Sequence, residues 1–62
     1  MRFEEFAARP FGREDLDRLT ELEEDVLHTR RRHGVVQSCD MLKMSPSALY
    51  RKEKSIMKKL SL

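Results

Sequence analysis

Sixty-two residues carrying a net charge of +2, with 39% apolar and 39% charged side chains, amount to one small domain at most. Such a chain buries only about 60% of the surface its unfolded form exposes, so it is marginally stable without a staple or a partner. One cysteine excludes an intramolecular disulfide, no Cys/His cluster suits a structural zinc, and no apolar run approaches the ~20 residues of a membrane span.

Periodicity predicts helices throughout, because two glycines and two prolines are the only strong punctuation and no alternating run occurs. Phe3, Phe6 and Ala7, at i, i+3 and i+4, predict a short amphipathic helix from about Arg2 to Ala8, which Pro10-Phe11-Gly12 ends. A second helical segment opens near Arg13 or Glu14, where acids crowd the first turn as the helix dipole favours. Its apolar stripe continues through Leu16, Leu19, Leu22, Val26 and Leu27. Thr20 followed by Glu23 fits a capping box, so a new helix is expected from Thr20 to His33. Arg30, Arg31, Arg32 and His33 place cations at its end, and Gly34 is expected to close it in the left-handed conformation.

A shorter helix follows from Val36 to Lys43, with Val36, Cys39 and Leu42 facing inward. Ser45 before Pro46 is a strong helix start, since the hydroxyl accepts from first-turn amides and proline at N1 lacks only an orphan hydrogen. The last helix then runs from Pro46 to about Leu60 on a stripe of Leu49, Ile56 and Leu60, with Met57 at its flank. Glu53 falls on that stripe and is expected to pair with Arg30 or Arg31. The predicted fold class is all-α: a small bundle of four to five helices, with residues 1–12 as an N-terminal helical extension and 13–62 as the domain.

The charge is bipolar. Residues 1–29 hold four arginines against nine acids, a net −5, and residues 30–62 hold nine cations against two acids, a net +7. An acidic half suits protein or solvent, and a basic half suits a polyanion. Short helix, tight turn and longer helix at Val36–Leu42 and Pro46–Leu60 outline a helix-turn-helix. Cys39 supplies a small residue for the helix crossing, Leu42 ends the first helix, Met44 plugs the turn, and Leu49 pins the second helix. The outward residues Ser47, Ala48, Tyr50, Arg51, Lys54 and Lys58, together with Ser45 at the cap, are then candidates to meet double-stranded DNA.

These same residues carry a resemblance. Asp15–Leu60 resembles region four of bacterial sigma factors and the output domain of LuxR-type regulators. The matching features are Leu19-Thr20, the Glu-x-x-Val-Leu stretch Glu23-Glu24-Asp25-Val26-Leu27, Ser45-Pro46-Ser47-Ala48-Leu49-Tyr50-Arg51, then Ile56-Met57-Lys58-Lys59-Leu60 and the ending Lys59-Leu60-Ser61-Leu62. The resemblance implies sequence-specific DNA binding by a small transcription regulator of bacterial or phage origin, with residues 46–60 in the major groove. It also implies RNA polymerase as a possible partner. Departures are visible: the stretch from Gly34 to Ser45 is about two residues short, and Ser38 replaces an apolar residue. Lys43 stands where glycine is frequent, which costs strain if that backbone needs positive φ.

The remaining chemistry-bearing residues predict no activity. His28 and His33 are five apart, not the i, i+4 spacing that shares a metal, and Cys39 has no evident base. Glu21, Glu23, Glu24 and Asp25 read as a solvated face or a surface for a basic partner. No enzyme, cofactor, metal or membrane partner is expected, and the setting is expected to be cytoplasmic and nucleoid-associated. A homodimer is expected through Phe3 and Phe6, the alternative being that they fold back onto Leu16 and Leu19. The competing function is a protein-interaction module that grips RNA polymerase or another regulator through the acidic helix without reading bases.

Overall fold

A computed structural model describes residues 2–61. Among them, five helices follow in chain order: α1 Phe3–Ala7, α2 Arg13–Leu16, α3 Glu21–Arg32, α4 Val35–Leu42 and α5 Pro46–Leu60. The chain is an all-α bundle in which α3 is the hub, packed against α1, α4 and α5, with α4 also against α5. Its radius of gyration is 10.7 Å, in line with the roughly 11 Å expected of a compact chain of this length.

Phe3, Phe6 and Ala7 join Leu19, Val26, Leu27, Leu49, Ile56 and Leu60 in one buried cluster. The aromatic pair is therefore covered within a single chain and offers no surface to a second copy. That corrects the dimer interface expected at Phe3 and Phe6. Arg31 secures the end of α1, donating from Nε to the Ala7 carbonyl at 2.6 Å and from Nη2 to the Arg9 carbonyl at 3.1 Å.

The start of α3 follows the sequence closely. Thr20 Oγ1 accepts from the Glu23 amide at 3.2 Å, and the Glu23 carboxylate accepts from the Thr20 amide at 2.9 Å. The inner face, however, is Glu23, Val26, Leu27 and Arg30, and Leu22 lies exposed. Two charged residues hold core positions because each finds partners there. Glu23 is thus no part of a solvated acidic face: it also accepts from Ser55 Oγ and Lys59 Nζ, both at 2.6 Å. Burial alone would raise its pKa, but these bonds outweigh it and hold the carboxyl down at about 2.

A carboxylate with a depressed folded-state pKa contributes stability above its unfolded value and loses it as pH falls toward the folded one. Acidification from about 4.5 toward about 2 should therefore weaken the fold through Glu23. Glu4, held low by its hydrogen bond to Arg30, pulls in the same direction. Thermal midpoints across this window should fall more steeply for the wild type than for Glu23→Gln. Parallel slopes would remove Glu23 from the account.

Gly34 does not take the left-handed conformation expected of it. It is extended (φ −76°, ψ −178°) and serves as the N-cap of α4, following an equally extended His33. Arg30 Nη1 donates to the His33 carbonyl at 3.0 Å. The left-handed residue is instead Lys43, at the end of α4 (φ 54°, ψ 47°), where strain was expected if glycine's freedom were needed.

The inward register of α4 also differs from the sequence expectation. Val35, Ser38, Cys39 and Leu42 face the core, while Val36 is 83% exposed. Ser38 is the fully buried small residue, and Cys39 is only half-buried beside the cluster. Cys39 is thus not the side chain sealed between helices. The Ser38 hydroxyl has no hydrogen-bond partner among the described residues. An unsatisfied buried hydroxyl costs about 1–3 kcal/mol, so Ser38→Ala should stabilise the fold by about 1 kcal/mol in urea unfolding. A destabilised variant would mean the hydroxyl is satisfied.

Candidate nucleic-acid interface

The turn Lys43-Met44-Ser45 joins α4 to α5, and its two ends are held differently. On one side the Met44 amide bonds back to the Cys39 carbonyl at 3.0 Å. On the other, Ser45 Oγ accepts from the Ala48 amide at 3.2 Å, with Pro46 in the first turn. Met44 packs against the core cluster, as a turn plug should. The start of α5 is consequently fixed by a side-chain cap and an apolar anchor together.

Leu49, Glu53, Ile56 and Leu60 form the buried stripe of α5. Glu53 meets Arg30 there, with Nε 3.2 Å from its carboxylate, as its place on the stripe predicts. Burial pushes the Glu53 carboxyl above its ordinary value against the pull of that guanidinium. The pair locks the rotation of α5 relative to α3. On the other flank Lys59 and Ser55 reach Glu23, a second polar tie to the same hub.

With both ties facing α3, the opposite side of α5 is left to solvent. Ser47, Arg51, Lys54 and Lys58 recur there at i, i+4, i+7 and i+11, all exposed. Among the described residues Arg51, Lys54 and Lys58 make no ion pair. Tyr50 stands half exposed at the flank of the stripe, and Ala48 is half-buried. Ser45 is exposed, but its hydroxyl oxygen is engaged in the cap. The structure therefore brings four of the seven candidates onto one face, with the other three at its edges.

Sequence reasoning treated Lys43 only as a strained turn residue. It is exposed at the turn leading into α5 and adds a cation beside Ser45. Its charge was the available signal. Among the described residues no three His, Cys, Asp or Glu side chains are grouped to hold a metal. His33 Nδ1 lies 3.1 Å from Gln37 Oε1, and among the described residues no helix is long and apolar enough to cross a membrane. Compared with family models, curated proteins and solved structures, the chain matches none of them.

Proposed function

We propose that this chain binds double-stranded DNA through the outward face of α5, as a small transcription regulator. The observation that carries the reading is a row of exposed cations without acidic partners on a helix whose opposite face is doubly tied to the bundle. A rigidly presented helix of 15 residues suits a major groove. Arg51, Lys54 and Lys58 supply phosphate attraction, while Ser47, Tyr50 and Arg51 supply groups that can read base edges. The resemblance of Asp15–Leu60 to sigma region four and LuxR-type output domains supports the same reading. No catalysis is proposed. A homodimer on DNA would have to form through a surface other than Phe3 and Phe6.

Arg51→Ala should lower affinity for a selected duplex by about 1–3 kcal/mol if the guanidinium forks a guanine, and should relax preference at that position. Lys58→Ala should weaken cognate and random duplexes alike. Fluorescence anisotropy on both duplexes separates the two roles. Wild-type affinity in both variants would reject α5 as the binding face.

A second reading is favoured by exposed Leu22, which stands beside the acids Glu21 and Asp25 on α3. Such a surface fits a basic protein partner, RNA polymerase or another regulator, and makes no use of duplex. Under that reading Leu22→Ser would abolish capture of the partner and the α5 variants would be silent.

A further inference from the structure

Two clefts open side by side where α3 passes into α4, and they meet along Arg31, Arg32 and His33. The larger, about 370 Å3, is lined by His28, Thr29, Arg31, Arg32, His33 and Met41, and no carboxylate lines it. The smaller, about 300 Å3, reaches Gly34, and its one acid, Glu4, is bound to Arg30 at 2.6 Å.

The three consecutive arginines have different fates. Arg30 is buried and fully engaged by Glu53, Glu4 and the His33 carbonyl. Arg31 donates to the carbonyls of Ala7 and Arg9, which leaves its charge without a carboxylate. The Arg32 side chain is exposed and makes no ion pair among the described residues.

We infer that the larger cleft holds a phosphate group, gripped by the Arg32 fork in the field of Arg31, with the Thr29 hydroxyl and the His28 and His33 rings on the same lining. The donors there differ in kind: a planar guanidinium fork, the Thr29 hydroxyl and imidazole nitrogens. A carboxylate, with two oxygens in one plane, would satisfy the fork alone, whereas a tetrahedral oxyanion has acceptors for all of them. The phosphate chemistry is common to a duplex backbone and to free inorganic phosphate. Only the first source rests on the DNA-binding reading above.

The full chain, titrated with inorganic phosphate against chloride at matched ionic strength and separately with a short duplex, tests the site. Amide signals of Thr29, Arg32 and His33 and ring signals of His28 and His33 are the readout. A saturable response to at least one ligand is expected, weakened about tenfold by Arg32→Ala with the thermal midpoint unchanged. Arg32→Lys should fall between the two, because it keeps the charge and loses the fork.

A cleft response to duplex alone identifies a backbone phosphate and supports the site. A response to inorganic phosphate alone also supports it, with a free anion as ligand. If the α5 signals of Tyr50 and Arg51 then ignored duplex, the DNA-binding reading would fall and the cleft would stand. No cleft response to either ligand, or equal affinities in Arg32→Ala, would overturn the proposal.

Discussion

Arg30→Ala should leave the chain largely unfolded at room temperature. The guanidinium donates from Nε to Glu53 at 3.2 Å, from Nη1 to the His33 carbonyl at 3.0 Å and from Nη2 to Glu4 at 2.6 Å. It also lies 5.7 Å from the centre of the Phe3 ring. Removing it strands the buried Glu53 carboxylate, which typically costs about 3–5 kcal/mol. A domain of this size holds only roughly 3–9 kcal/mol in total.

The double replacement Arg30→Met with Glu53→Met should recover most of that loss, because a buried pair exchanged for apolar groups of similar volume is often near neutral. What remains measures Glu4 and the α3 end. Urea unfolding followed by far-UV circular dichroism compares the three proteins. A single Arg30→Ala variant as stable as the wild type would show that the pair does not hold α5 to α3.

Leu49→Ala should cost about 2–5 kcal/mol, the second large effect. Leu49 has no exposed surface and sits four residues past the Ser45 cap, where α5 first enters the core. Its loss opens a cavity at the point that fixes the helix's entry, so duplex affinity should fall with stability. Met at the same position, nearly equal in volume, should cost under about 1.5 kcal/mol and keep binding. An alanine variant with unchanged urea midpoint would place Leu49 outside the core.

Helix ends were the most legible part of the sequence because they are written in local chemistry. Thr20 with Glu23, and Ser45 with Pro46, satisfy orphan amides within three residues of themselves, so no tertiary knowledge is needed. Glu53 was legible for a different reason: a charge on an apolar stripe demands a partner, and Arg30 was in reach. The register of α4 was not legible. Eight residues admit the stripe Val36, Cys39, Leu42 as readily as Val35, Cys39, Leu42, and the true one buries a serine that no apolar pattern selects. Leu22 and Glu23 exchanged their expected sides because a capping glutamate doubles as the acceptor for Ser55 and Lys59. The burial of Phe3 and Phe6 depends on α3 and α5, which their own segment does not announce. The outward face of α5 was readable as soon as its inward stripe was placed.

DNA binding by that face is tested most directly by titrating the intact protein with duplex across a range of salt concentrations. With Arg51, Lys54 and Lys58 neutralising phosphates, the logarithm of the binding constant should fall linearly with the logarithm of salt, at a slope of about −3 or steeper. Replacing all three by glutamine should flatten that slope and leave the thermal midpoint near the wild-type value. No measurable duplex binding at low salt, or a slope unchanged in the triple variant, would contradict the assignment.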